Sequence, residues 1–264
     1  MPSSVTVRFF RRALRLARSE LLALSALLVI GLGVSLFAGL AEEMREGDGQ
    51  AFDQWILSAM RPNADPADAW GPAWLEIAAN DLTALGAVSV LILFAAIAVI
   101  FLVLQKKRLS ALLLVLGLAG GVGLSEGLKA VFGRARPPEV FQAVETINAS
   151  FPSGHALLST VFYLSLAVTL ARAFPARRLK GYIIGVGVML AVLVGLTRIY
   201  LGAHWATDVF AGWSIGAAWA MALWLVSYAV ARRQAVHHAA LVDHSLPAEP
   251  RRRTNLLVSG RGGV

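Results

Sequence analysis

Six stretches without a single Asp, Glu, Lys or Arg constrain this chain more than any other feature: residues 21–40, 82–105, 109–125, 156–171, 182–197 and 209–231. A helix crossing about 30 Å of hydrocarbon needs roughly 17–25 such residues. The first, second and sixth runs reach that length outright, and the others reach it with their flanks. Lipid offers no partners to a bare backbone, so only helices or closed barrels span it. The two-residue alternation of a barrel strand is absent. The pattern predicts an all-α polytopic membrane protein with six transmembrane helices. Composition agrees, with 57% hydrophobic and 15% charged residues, where soluble chains carry about 25% charged. The first run is long for a secretory signal and leads into more membrane chain. The absence of cysteine excludes disulfides, thiolate metal ligands and cysteine nucleophiles.

The net charge of +8 would suggest nucleic acid on a soluble protein. On a polytopic one, sidedness explains it and no nucleic-acid partner is expected. With the N-terminus in the cytoplasm, 18 of the 24 Lys and Arg residues fall on the inner side. The outer side keeps six: Arg45, Arg61, Lys129, Arg134, Arg136 and Arg198. The positive-inside rule therefore predicts a multi-pass protein of the cytoplasmic membrane with both termini inside. The outer connection, residues 41–81, mixes acids with Phe52, Trp55, Trp70 and Trp74, as interfacial helices do. Basic residues 7–17, with Phe9 and Phe10 among them, are expected to lie along the inner leaflet. The domain division follows: a basic interfacial segment 1–20, a six-helix domain 21–233, and a cytoplasmic tail 234–264 without periodicity, expected to be unstructured. His237, His238 and His244 fall in that tail and are expected to be inert, while Glu145 should be reachable from outside.

Three polar islands share the outer side. The first runs from Lys129 to Arg136-Pro137; the second is Pro152-Ser153-Gly154-His155; the third is Thr197-Arg198 through His204 to Asp208. Cations beside an apolar surface call for an anion. Arginine matches phosphate oxygens bidentately, and lysine adds a compact charge. Ser153 and Gly154 open a helix whose free N–H groups favour an anion, with the Ser153 hydroxyl as a further donor. Asp208 follows His204 by four residues and can fix one imidazole nitrogen, leaving the other free to attack. His155, with no carboxylate nearby in sequence, suits a general acid. Each island has a bland reading as a helix end, a cap or a helical pair; together on one side they form a phosphate pocket. Three cations disfavour a metal at His155, His204 and Asp208, and no cofactor is expected. Glu126, one turn before Lys129, reads as its salt-bridge partner, and Trp213, Trp219 and Trp224 as packing or lipid-facing residues.

At these residues the chain resembles the type 2 phosphatidic acid phosphatase family, whose signatures are K-x6-RP, PSGH and SR-x5-H-x3-D. They stand here as Lys129…Arg136-Pro137, Pro152-Ser153-Gly154-His155 and Thr197-Arg198…His204…Asp208, with Thr197 in place of the usual serine. The resemblance implies a metal-independent lipid phosphatase acting through a phosphohistidine at the outer face. The residue matching His204 is then the nucleophile, Asp208 orients it and His155 is the acid. Those matching Lys129, Arg136, Ser153, Gly154 and Arg198 hold the phosphate. Arg134 lies outside the matched motif and is expected to tolerate alanine far better than Arg136. The expected substrates are lipid phosphates of the undecaprenyl pyrophosphate, phosphatidylglycerol phosphate or phosphatidic acid type. The same site would serve a phosphotransferase handing the phosphoryl group to another lipid. A non-catalytic lipid-phosphate or anion transporter would favour midplane charges and internal repeats, and neither is evident.

Overall fold

In the computed structural model, residues 4–47, 49–62, 65–66, 68–144 and 148–245 are described, with backbone alone for 4–19, 235 and 237–245. Eight α-helices run through them: α1 (Ser4–Glu46), α2 (Gln50–Ala59), α3 (Ala73–Thr83), α4 (Val88–Leu104), α5 (Arg108–Phe132), α6 (Gly154–Ala171), α7 (Arg177–Tyr200) and α8 (Ala206–Ser245). Glu20–Glu46 of α1, helices α5, α6 and α7, and Ala206–Gln234 of α8 are each long and apolar enough to span a membrane. A sixth candidate is the pair of α3 and α4, which qualifies only when the two are taken together across the 3-10 turn at Ala84–Gly86, where the chain bends by 52°. The protein is an all-helical, multi-pass membrane protein, and the long connection after α1 holds the short helices α2 and α3.

Three boundaries differ from the sequence reading. The basic residues 7–17 and the first span form one helix, since neither Gly nor Pro interrupts the chain between Val5 and Gly31. Residues 82–86 leave the second span, because the chain bends at Gly86 before α4 begins. Residues 234–245, expected to be unstructured, continue α8, with no Gly or Pro between Gly216 and Pro247 to stop it. The side chains of His237, His238 and His244, the residues beyond 245, and Glu145 lie outside the described residues.

Helix α6 is the centre of the first compact unit, residues 1–227. Its Leu157, Leu158, Val161, Phe162 and Tyr163 join Leu91 and Ala95 of α4 and Leu114 and Leu118 of α5 in one buried cluster. In lipid, close packing replaces the hydrophobic drive between helices, and small residues permit it. Helix α8 lies on α6 through glycines: a Cβ on Gly212 would stand 2.7 Å from the Ser153 carbonyl oxygen, and one on Gly216 would stand 2.8 Å from that of Leu157. Trp219 donates to the Gly117 carbonyl and Trp213 to that of Ala191, tying α8 to α5 and α7. Those two tryptophans pack, as expected. Helix α1 shows exposed leucines along its length, including Leu24, Leu28 and Leu32, the surface lipid would cover. The second unit, residues 228–264, is helical as far as Ser245.

Candidate active site

The site assembles at the end of the bundle where α5 and α7 finish and α6 and α8 begin. Helix α5 carries Lys129 in its last turn and stops at Gly133, whose φ of +58° is the left-handed conformation that ends helices. The chain then lays Arg134 and Arg136 across the starts of α6 and α8. Ser153 caps α6, its buried Oγ accepting from the Ala156 N–H at 3.5 Å. Its backbone N–H donates to the Asp208 carbonyl at 3.0 Å, which pins the two helix starts together.

A cavity of about 260 Å³ opens there, lined on its polar side by Lys129, Arg136, Asn148, His155, Arg198 and His204. Gly154 also lines it, within reach of Lys129: a Cβ there would stand 3.5 Å from Nζ. Val88, Val122 and Leu158 form an apolar wall, with the exposed Glu126 beside them. The expected pair is present, Lys129 Nζ lying 2.9 Å from Glu126 Oε1. Seven of the eight site residues read from sequence thus gather at this cavity or immediately behind it. Ser153 is the exception: fully buried, it does not line the cavity, and its hydroxyl serves the helix start.

His204 sits in the turn before α8 rather than on it, and Asp208 is in the first turn. Arg136 Nη1 lies 3.1 Å from His204 Nε2. A guanidinium only donates, so Nε2 presents its lone pair and the ring proton belongs on Nδ1. Nδ1 faces Ser150 Oγ at 3.4 Å and Asp208 Oδ2 at 3.5 Å. Burial pushes His204 down to about 4; Asp208 opposes that fall, while the charges of Arg136 and Arg198 add to it. The imidazole is neutral at pH 7, with its free nitrogen toward the cations. Arg136 is itself fixed by the carbonyls of Asn148 at 2.6 Å and Ala203 at 2.7 Å. Burial lowers its pKa and the Asp208 charge raises it.

Asp208 is completely buried and heavily engaged. Its Oδ2 accepts from the Ser150 hydroxyl and from the Trp205 N–H at 3.0 Å, the latter closing the α8 N-terminus as a capping box does. Its Oδ1 accepts from Arg134 Nη1 at 2.5 Å. Arg134 Nη2 reaches Asp53 Oδ2 on α2 at 2.7 Å. Asp53 in turn accepts from the Thr207 N–H at 3.0 Å and its hydroxyl at 2.6 Å. Arg134, though outside the motif, is therefore engaged from behind the site rather than free to be replaced without consequence. It is the cation between two buried carboxylates, one of them Asp208.

Asp53, Ser150, Thr83 and Gly86 were not singled out from sequence. Thr83 accepts from Arg198 Nη1 at 3.2 Å, and a Cβ on Gly86 would stand 3.2 Å from His155 Cδ2. Asp53 lies among the aromatic residues of the long connection after α1, Thr83 and Gly86 lie inside the uncharged run 82–105, and Ser150 just precedes the second island; none of these places marks a site residue. Arg61 and Arg45 are structural. Arg61 donates to the carbonyls of Tyr200 at 2.9 Å and Phe141 at 2.8 Å, and Arg45 lies 5.1 Å from the centre of the Phe132 ring.

Cations and two imidazoles converging beside an apolar wall, within a membrane-spanning bundle, are the equipment of an integral-membrane phosphatase. Residues 108–232 match the model of the PAP2 superfamily, and the chain belongs to that family. It is 34% identical over 145 residues to the phosphatidylglycerophosphatase B of Bacillus subtilis, covering 54% of this chain and 70% of that one. It is 32% identical over 122 residues to the undecaprenyl-diphosphatase of Sulfolobus acidocaldarius, covering 44% of this chain and 55% of that one. The crystal structure of a transmembrane PAP2-type phosphatidylglycerolphosphate phosphatase from Bacillus subtilis superposes with a TM-score of 0.68. It is 28% identical in sequence, and the match covers 74% of this chain and 96% of that one.

Proposed function

We propose that this protein hydrolyses a phosphate or pyrophosphate monoester of a membrane lipid through a phosphohistidine on His204, at the outer membrane face. The observation that carries the reading is the His204 Nε2 lone pair, held against Arg136 in a cavity with cations on one side and an apolar wall on the other. A lipid phosphate has that same division. The two relatives are named for lipid phosphates with different headgroups and tails, so the reading stops at the class.

In this mechanism Nε2 attacks phosphorus, and the P–N bond forms as the P–O bond to the lipid breaks. His155 protonates the departing oxygen; Asp208 and Ser150 hold the Nδ1 side of the nucleophile. His155, now neutral, takes a proton from water as it attacks the P–N bond, releasing inorganic phosphate and restoring His204. Lys129, Arg136, Arg198 and the Gly154 backbone bear the charge spread over the phosphoryl oxygens. The chemistry calls on no metal or cofactor. The catalytic domain is residues 21–233, with 1–20 and 234–264 on the cytoplasmic side.

Phosphate release from prenyl pyrophosphates and glycerolipid phosphates tests the class. Comparing two leaving groups tests the roles. An alkoxide needs a proton and a nitrophenolate does not, and general-acid help is worth about 10²–10⁴-fold. His155→Ala should be crippled on a lipid monophosphate and partly spared on p-nitrophenyl phosphate, whereas His204→Ala should be inactive on both. Equal proportional losses for His155→Ala would remove it as the acid.

A further inference from the structure

We infer that Ser125 is a fourth phosphate-binding side chain, donating its hydroxyl to the substrate's phosphoryl group alongside Lys129, Arg136 and Arg198. The inference rests on the phosphatase reading of the same cavity and assigns a contact outside all three motifs. A serine or threonine within a helix ordinarily returns its hydroxyl to a carbonyl three or four residues back. Ser159, Thr160, Thr197 and Ser214 all do so here. Ser125 does not. It is 1% exposed, and its Oγ has no hydrogen-bond partner among the described residues.

Ser125 belongs to the cavity lining instead. Lys129 follows one turn later on the same helix face. A Cβ on Gly154 would lie 3.2 Å from Ser125 Oγ, which places the hydroxyl against the backbone that opens α6. Val122, about one turn earlier, belongs to the apolar wall. Ser125 thus stands at the border between cations and hydrocarbon, where the phosphate of a lipid joins its tail. A second buried donor beside the same cavity, Arg198 Nε, is likewise without a partner among the described residues. Leaving a buried donor unpaired is costly, and an anion with several acceptor oxygens removes that cost when it enters.

The test is a thermal-shift titration of the full-length, detergent-purified protein with orthovanadate, which reads binding without turnover. Ser125→Ala should bind orthovanadate roughly 10–100-fold more weakly, the range for a hydrogen bond to a charged group. Its unliganded melting temperature should equal or exceed that of the parent, because an unsatisfied group has been removed. Ser125→Cys keeps the volume with a much weaker donor, and should be impaired like the alanine variant. Unchanged orthovanadate affinity in Ser125→Ala would overturn the assignment, and so would full recovery in Ser125→Cys, which would make the effect one of packing. The two readings separate cleanly. Weakened orthovanadate binding without phosphate release from any lipid removes the lipid-phosphatase reading and leaves Ser125 in place. Lipid phosphatase activity with normal binding in Ser125→Ala removes Ser125 alone.

Discussion

Arg134 joins Asp53 on α2 to Asp208 behind the imidazole of His204. Its side chain is 10% exposed and its partners 1% and 0%. A buried pair is weak evidence of net stabilisation, but removing one partner strands the other charge at a cost of roughly 3–5 kcal/mol. Arg134→Ala should therefore lower the melting temperature markedly and abolish activity, while Asp53→Asn, which keeps the shape, should cost less on both counts. A well-folded, active Arg134→Ala would mean that the two carboxylates find other partners. None of this was legible in the sequence, because Asp53 and Asp208 are 155 residues apart and only the packing of α2 on α8 unites them. Lys129, His155 and Arg198 were legible because each sits at a helix end, and Arg136 because it precedes Pro137 at a fixed spacing from Lys129. His204 yields a second prediction. Burial depresses its folded pKa to about 4, below the ordinary value of about 6.5. Between those values the unfolded chain holds more protons, so stability should fall as pH drops from 6.5 toward 4 and owe nothing to this group above 6.5. Melting curves of the parent against His204→Gln over that range check it, and the variant should show the shallower slope. Equal slopes would mean that His204 titrates alike in both states.

At the scale of elements, the site depends on how closely α8 can approach α6. The spans were legible as uncharged runs, yet their ends were not. Lys129 and Arg198 belong to the final turns of α5 and α7, beyond the points where their uncharged runs stop. The bend at Gly86 was hidden inside an unbroken apolar run, since hydropathy reads composition rather than direction. Close contact between helices is equally invisible to hydropathy and depends on glycines. Gly212→Ala would drive a methyl group to within 2.7 Å of the Ser153 carbonyl oxygen, which backbone cannot relieve by rotamer change. Overpacking of this kind costs about 1–3 kcal/mol, and the shift would separate Asp208 from Ser153. Gly185 on α7 has nothing within 4 Å of a Cβ position. Gly185→Ala should therefore be neutral or stabilising by up to about 1 kcal/mol. Melting temperature and phosphate release measured together for the two variants decide the matter. If Gly212→Ala were as harmless as Gly185→Ala, the helix starts would not need this contact to hold the site.

For the whole molecule, the uneven charge distribution and the position of the site become one argument. Of the six cations on the sparse side, Lys129, Arg136 and Arg198 line the cavity, and Arg134 supports it from behind. Arg61 holds two loop carbonyls and Arg45 rests on Phe132. Every departure from the positive-inside pattern thus has a local partner. That asymmetry supports an outward-facing site with both chain ends in the cytoplasm. The chain has no cysteine, so a single introduced thiol reports without background. Val140 lies in the 3-10 turn Glu139–Phe141 after α5, and Phe174 between α6 and α7; both are exposed. In intact cells, Val140→Cys should react with a membrane-impermeant maleimide, and Phe174→Cys should react only after permeabilisation. The reverse pattern would turn the molecule over and give the catalytic cavity to the inner leaflet. Labelling of both in intact cells would show that the impermeant reagent reaches each end of the bundle, which six complete spans in a sealed membrane do not allow.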